Sequence, residues 1–344
     1  MDARPTPEQR ELADVADRLA LKLGPGTVGE LDNAERRQRL DAALVQSGWR
    51  ELRTGTRSDV LASGVETATV TSALARRACD TAYIGPVLAH DLLRRAGVEG
   101  DEIARAIVVT SDLRSVAVAP GDTLTESCLA VDVAGSSSGV LLMTDGDGFT
   151  IANALIGPPI QGIDLTRTVA PLAPGCTVVA FDGVNALTRD DITAWTALAV
   201  TLTAADLVGT MEGALELATE YAKDRRQYGA PIGSYQAVQH MLAEARTLAE
   251  GALSATIHAA WAVDALSPDA ARAAAAVAKA YASRAARTVC ETVIQVHGGI
   301  GNTWECMAHV FLRRTLLATE LFGGDGPQLA LLGSQRWGAT NGLS

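Results

Sequence analysis

Apolar positions recur about every 3.6 residues near the start of the chain, which is the pattern of an amphipathic helix. Leu12, Val15 and Leu19 follow this spacing after Pro5 and Pro7, prolines that suit a helix start. Further helices are predicted at 31–47, 60–78 and 86–95. The first zone of the chain is therefore predicted to be all-α.

The pattern changes to short β-branched runs between residues 107 and 188, where Gly, Pro, Asp and Ser interrupt the chain. Strands are predicted at 115–119, 128–133, 139–143, 149–152 and 177–181. The turn-forming residues from Asp145 to Gly148 stand between two of these runs and predict a hairpin. The middle zone is predicted to be a small β-domain.

Long alanine-rich helical segments follow, at 194–224, 235–266, 268–296 and 305–321. Such lengths exceed the average of about 11 residues and suit an antiparallel bundle. The order predicts an α+β chain with an N-terminal α-helical domain, a small middle β-domain and a C-terminal four-helix bundle. The predicted boundaries are 1–106, 107–190 and 191–344.

Composition excludes several classes of protein. The 344 residues carry a formal net charge of −11 with only three lysines, so a surface that binds nucleic acid through many phosphates is not expected. No apolar run reaches the length of about 18 to 20 residues that a membrane span needs. We therefore expect neither a nucleic-acid partner nor a membrane span.

The cysteines and histidines predict no metal centre. Five cysteines, an odd number, are scattered along the chain, and the five histidines form no His-x-x-x-His pair. This spacing fits neither a zinc site nor a disulfide framework. The amino terminus also lacks the pattern of a signal peptide. We expect a reducing, cytoplasmic setting.

A first candidate motif follows the first long helix of the bundle and runs from Tyr221 to Gln236. Gly229 stands where a helix-ending glycine is expected. This motif has two interpretations. In the structural one, Arg225 and Arg226 complement the helix dipole and Tyr228 packs into the bundle. In the functional one, Arg225 offers a planar fork of donors to a pyrophosphate, and Gln227 and Gln236 add neutral donors.

A second candidate motif runs from Ile294 to Glu305 and contains three glycines within four residues. Glycines expose backbone N–H groups to a ligand, and Thr303 is predicted to cap the next helix. The alternative is a tight turn between helices, with His297 in the core. The glycines follow a helix and lack the Gly-x-Gly-x-x-Gly spacing, which excludes a Rossmann site.

The zone order together with the two motifs resembles the acyl-CoA dehydrogenase family. The resemblance covers nearly the whole chain, although the first 190 residues match only in organisation. It implies an FAD bound between the domains and across a subunit interface, with the second motif serving the neighbouring subunit's FAD. The residues that it places at FAD are Arg225, Gln227, Tyr228 and Gln236 from the first motif, and Gln295, Gly298 and Gly299 from the second.

The family's reaction removes the α-proton of an acyl-CoA thioester with a carboxylate base while hydride leaves the β-carbon for the flavin. It yields a 2-enoyl-CoA, and the resemblance implies an electron acceptor such as electron-transfer flavoprotein. The usual base is a glutamate where this chain has Gly323. Some members place the base at a position that maps to about Ala199 and Val200, where no acid stands either.

Three hypotheses follow. In the first, the chain is the partner subunit of a heteromeric enzyme, in which a sister chain supplies the base. In the second, it is self-sufficient, as a homo-oligomer, with Asp325 or Glu305 as an unusual base. In the third, it is a binding or scaffold protein that kept the fold and lost the cofactor. The acyl group, whether fatty, branched or steroid-derived, stays open.

Overall fold

A computed structural model describes residues 5–98, 105–133, 135–146 and 148–337 of the chain. Its first zone is helical, and α1 begins with a capping box in which Thr6 Oγ1 accepts from the Gln9 N–H at 3.2 Å and Gln9 Oε1 accepts from the Thr6 N–H at 3.0 Å. The helices of this zone are α1 (Pro7–Leu23), α2 (Ala34–Ser47), α3 (Gly64–Arg76) and α4 (Ile84–Arg95).

The second zone is a mainly antiparallel sheet with the order β6-β7-β3-β1-β4-β5-β8, in which β2 also pairs with β4. Asp145 pairs with Gly148 across the β4–β5 ladder, so the hairpin predicted there is confirmed. The strands are β1 (Ala106–Thr110), β2 (Val118–Ala119), β3 (Cys128–Val131), β4 (Ser138–Asp145), β5 (Gly148–Leu155), β6 (Ile160–Gln161), β7 (Thr168–Leu172) and β8 (Val178–Ala180).

The third zone contains long helices and one small two-stranded hairpin. Its elements are α5 (Arg189–Asp224), β9 (Arg226–Gln227), β10 (Ala230–Pro231), α6 (Gln236–Ala265), α7 (Pro268–His297), α8 (Ala308–Glu320) and α9 (Asp325–Trp337). Among the described residues, α5 alone is long and apolar enough to cross a membrane, but 83% of its most apolar window is buried inside the protein. Its position is that of a core helix.

Helix α5 joins the three zones. Gly209 and Gly213 let it approach α3 closely, because a Cβ at either position would overlap the carbonyl oxygens of Ser72 and Arg76. At the other end of α5, Trp195 Nε1 donates to Leu88 O of α4 at 2.9 Å. These contacts place α5 between the first zone and the rest of the bundle.

The predicted order of helices, sheet and helices is confirmed, with α9 as an additional helix after the predicted four. The largest apolar core includes residues of all three zones, among them Leu92, Ile107 and Trp195. Because the zones share this core, the division into three domains stays a prediction from the sequence.

Candidate functional site

The first motif forms a tight hairpin at the end of α5. The helix ends at Asp224, where the Arg225 N–H donates to Tyr221 O at 2.8 Å. Tyr228 and Gly229 have φ angles of 50° and 84° and form the turn between β9 and β10. The prediction that Gly229 ends the helix is therefore wrong, because its left-handed conformation serves the hairpin turn.

Two hydrogen bonds to backbone carbonyl oxygens hold this hairpin to the segment that leads into α6. The Ile232 N–H donates to Arg225 O at 2.8 Å, and the Tyr235 hydroxyl donates to Gln227 O at 2.9 Å. The side chains of Arg225 and Gln227 remain exposed. Tyr228 is 98% exposed, so the interpretation that it packs into the bundle is wrong.

The second motif begins in the last turn of α7, which ends at His297, and continues into the turn that follows. The Gly298 φ angle is 64°, and a Cβ added at Gly298 or Gly299 would meet no atom within 4 Å. His297 is buried, as one interpretation predicted, and its Nδ1 donates to Val293 O at 2.8 Å. Thr303 does not cap α8, which begins at Ala308, so that prediction is wrong. The glycines leave open space beside the end of α7.

The two motifs meet within one chain. The Tyr221 ring near the end of α5 stacks on His297 at the end of α7, with centroids 4.4 Å apart. A groove of about 350 Å³ lies here, and residues of both motifs line it: Gln227, Tyr228, Ile232, Tyr235, Val238, Met241, Gln295 and Val296. The two motifs share a groove because α5 and α7 end at the same end of the bundle. That the second motif serves the FAD of the neighbouring subunit stays a prediction.

The groove has the chemistry that a pyrophosphate needs. Arg225 does not line the groove, but it lies two residues before Gln227, which does. Its exposed side chain forms no hydrogen bond or ion pair with any described residue, so its guanidinium is available to an anion. Gln227 and Gln295 add amide donors. Gln236, the first residue of α6, and the glycines at 298 and 299 are exposed nearby but do not line the groove.

The position at which the resemblance places the catalytic base has little room for a side chain. Gly323 is buried with a φ angle of 85°, and a Cβ there would lie 3.1 Å from Gln328 Nε2. This amide donates to the carbonyl oxygens of Phe322, at 2.8 Å, and Gly323, at 3.1 Å. The Phe322 N–H donates to Leu113 O at 2.6 Å, and its ring packs edge-on against Trp195. The loop thus packs without a carboxylate.

The two alternative bases lie at the surface. Asp325 begins α9, its side chain is 46% exposed, and Oδ2 lies 3.7 Å from Arg284 Nε. Glu305 is exposed in the turn before α8 and is not in the first turn of a helix. Ala199 and Val200, at the other position used in the family, are fully buried in α5. None of these residues lines the groove.

A buried ionic cluster, formed by Asp132, Arg167, Asp206 and Arg314, was missed by the sequence analysis. Asp206 Oδ1 accepts from Arg167 Nη2 at 2.8 Å and from Arg314 Nη2 at 2.5 Å. Arg167 Nη1 also donates to Asp132 at 3.1 Å. Burial works to raise the pKa of Asp206, but the two arginines outweigh it and lower this pKa. The cluster joins the sheet to the bundle.

Lys279 of α7 is a second buried charged group. Its Nζ donates to Ala318 O, at the end of α8, and to Leu321 O at 3.0 Å, in the loop before Gly323. Its side chain is fully buried and forms no ion pair with any carboxylate among the described residues, and burial lowers its pKa to about 7. Lys279 therefore fixes the loop on which the base would stand.

We expect Lys279→Met to change how stability depends on pH. The unfolded chain keeps the Lys279 pKa near 10.5, so above pH 7 it binds more protons than the native protein does. This group therefore makes the free energy of unfolding rise with pH, by about 1 kcal/mol per unit between pH 7 and 10. Urea unfolding of the native protein and of Lys279→Met at several pH values measures the contribution of Lys279 to this pH dependence. An equal pH dependence of the unfolding free energy in both proteins would contradict the prediction.

The sequence profile described as "Acyl-CoA dehydrogenase, C-terminal domain" matches residues 198–335, which include both motifs and the groove. This match agrees with the order of helices, sheet and helices in the fold, and together they define the class of protein. Residues 198–335 of the chain belong to the acyl-CoA dehydrogenase family, as its C-terminal domain.

Curated relatives carry the same family name. The acyl-CoA dehydrogenase IpdE2 of Mycolicibacterium smegmatis is 30% identical over 198 residues, which cover 58% of each protein. The acyl-CoA dehydrogenase FadE34 of Mycobacterium tuberculosis is 32% identical over 250 residues, 72% of this chain and 34% of FadE34. The matched region thus spans only part of the length of these relatives.

A solved structure shares the fold over nearly the whole chain. The ChsE4-ChsE5 complex of Mycobacterium tuberculosis has a chain that matches with a TM-score of 0.79 and 22% identity. The match covers 98% of this chain and 99% of that one. At this identity the likeness shows the fold.

Proposed function

We propose that this chain is the partner subunit of a heteromeric, FAD-dependent acyl-CoA dehydrogenase, in which a sister chain supplies the base. The closed loop at Gly323 is the observation that supports this most strongly. A base must reach the proton that it removes within hydrogen-bond distance, and here a glycine packed under Gln328 occupies its position. The name of the ChsE4-ChsE5 complex, which pairs two chains, fits this proposal.

The groove between the two motifs, which we call the motif groove, would hold the pyrophosphate region of FAD. The Arg225 guanidinium would pair with the phosphate oxygens and the Gln227 amide would donate to them, whereas Gln295, Gly298 and Gly299 of this chain would contact the FAD of the sister chain. The exposed ring of Tyr228 would pack on the cofactor or on the sister chain. FAD, when bound, supplies the hydride acceptor for the dehydrogenation of the acyl-CoA to a 2-enoyl-CoA.

This chain's own residues would then orient the cofactor, while the sister chain removes the α-proton. We propose electron-transfer flavoprotein as the electron acceptor and the cytoplasm as the location. All five cysteines are unpaired, which is compatible with a reducing compartment. The self-sufficient alternative has less support, because Asp325 and Glu305 lie at the surface and outside the groove.

The Arg225→Ala variant tests the cofactor assignment. A charge-assisted hydrogen bond to phosphate contributes about 1.5 to 3 kcal/mol, so we expect flavin affinity to fall about tenfold or more. The measurement is the flavin absorbance per protein in the complex copurified with the sister chain. Arg246→Ala, at an exposed arginine of α6 paired with Glu250, is the matched control and should keep its flavin. Unchanged flavin content in Arg225→Ala would remove this assignment.

A further inference from the structure

A tryptophan lies at the surface in the turn between α7 and α8. Trp304 is 64% exposed, although Cys306 and Met307, two and three residues further on, are buried. Tryptophan has one of the largest apolar surfaces of any side chain and is highly buried on average. Trp304 does not line the motif groove, and the proposed dehydrogenation gives it no role. Its exposure indicates a surface that another molecule covers.

The Trp304 ring is held in one orientation by its neighbours. The Arg313 guanidinium of α8 lies over the ring, 5.5 Å from its centroid, and the His309 ring meets it edge-on at a centroid distance of 5.0 Å. The Thr303 N–H and hydroxyl both donate to Ile300 O, at 3.0 and 2.8 Å, and brace the turn. Because the ring is already ordered, its burial against a partner loses little side-chain entropy.

The side chains around Trp304 have the composition of an interface. Ile300, in the same turn, and Ile163, whose carbonyl oxygen accepts from Arg313 Nη1 at 3.5 Å, are both exposed. Arg313 forms no ion pair with any carboxylate of the described residues, so its charge remains for a partner. A single exposed apolar side chain is ordinary, but tryptophan and arginine are enriched among the residues that dominate binding. We call Trp304, Arg313, Ile300 and Ile163 the tryptophan surface.

We propose that the tryptophan surface docks the sister chain of the heteromer, an inference that rests on the proposed function. The turn that carries Trp304 begins with Gly298 and Gly299, and the proposed function brings these glycines to the FAD of the sister chain. Trp304 follows Gly299 by five residues, so their Cα atoms lie within about 18 Å of each other. A standard interface covers about 800 Å² of each partner, a patch about 30 Å across, and has room for both positions.

The tryptophan surface also defines what the sister chain presents to it. The exposed part of the Trp304 ring and the two isoleucines fit an apolar pocket, and the Arg313 guanidinium fits a carboxylate at the rim of that pocket. The pocket removes Trp304 from water when the heteromer forms. The sister chain thus supplies the burial of Trp304 that the fold of the single chain does not.

Association of the purified full chain with the sister chain tests this inference. The probe is an acyl-CoA dehydrogenase-family chain that carries the loop glutamate, and analytical ultracentrifugation gives the dissociation constant. We expect Trp304→Ala to weaken association at least about tenfold and Arg313→Ala to weaken it as well. Leu61→Ala is the matched control, because Leu61 lies before α3 in the first zone and is 68% exposed, and it should associate as the native chain does.

Three outcomes would overturn the inference in different ways. Equal association of the native chain and Trp304→Ala would overturn it and leave the proposed heteromer intact. Self-association of this chain that Trp304→Ala abolishes, with binding of the sister chain unchanged, would make a second copy the occupant. If the native chain does not bind the sister chain at all, the proposed function fails as well. Trp304 is exposed, so its replacement should not disturb folding, which circular dichroism checks.

Discussion

The purified chain alone is expected to show no dehydrogenase turnover with acyl-CoA thioesters, and turnover is expected to appear when the sister chain is added. A positioned general base contributes about 10²- to 10⁴-fold, and Gly323 supplies none. The rate of the isolated chain should therefore lie at least about a hundredfold below that of the complex. A dye-coupled assay on the separate and mixed proteins measures the difference.

Two variants sharpen this result. Asp325→Asn in this chain should leave the turnover of the complex unchanged, because that carboxylate lies at the surface beside Arg284. Gly323→Glu should not create an active chain, since the left-handed backbone and the nearby Gln328 amide disfavour any side chain there. Robust turnover by the chain alone, abolished by Asp325→Asn, would instead support the self-sufficient hypothesis.

The Asp206→Ala variant is expected to lose about 3 to 5 kcal/mol of unfolding free energy. The substitution leaves the guanidinium groups of Arg167 and Arg314 buried without the carboxylate that both of them contact. Removal of one partner from a buried ion pair costs more than the pair itself contributes, because the remaining charge stays desolvated. Urea unfolding followed by circular dichroism measures the loss.

An exposed aspartate provides the control for this experiment. Asp182, in the segment between the sheet and α5, makes no ion pair among the described residues, and Asp182→Ala should stay within about 0.5 kcal/mol of the native chain. A loss below about 1 kcal/mol in Asp206→Ala would mean that water reaches both arginines, contrary to their burial.

Local patterns predicted the long helices and the β4–β5 hairpin of this fold, although β1 and β7 lie outside the predicted strands. The 3.6-residue spacing from Leu12 onward and the turn between Asp145 and Gly148 both act over a few residues, and both elements are present. The end of α5 at Asp224 agrees with the predicted segment, but the role of Gly229 was wrong, because a glycine suits a helix end and a hairpin turn equally well and only the β9–β10 pairing decides between them.

Contacts between distant segments were harder to predict. The sequence could place Gln227 and Gln295 in motifs, but their common groove depends on how α5 and α7 pack. The pairing of Asp164 with Arg167, at 3.5 Å, is local, whereas Asp206 and Arg314 approach Arg167 through the tertiary fold. One signal was available, since Asp206 is a lone carboxylate in an otherwise apolar stretch of helix, and such residues are rarely buried without a partner.

The ionic cluster has a consequence for how the protein unfolds. Asp132 and Arg167 belong to the sheet zone, whereas Asp206 and Arg314 belong to the bundle helices α5 and α8. Separation of the sheet from the bundle would break the buried ion pair between Arg167 and Asp206 and would expose the shared apolar core, while each part kept one Asp–Arg pair of its own. The two parts are thus coupled into one cooperative unit, and in a fragment that contains only the bundle Asp206 would lose Arg167, one of its two arginine partners.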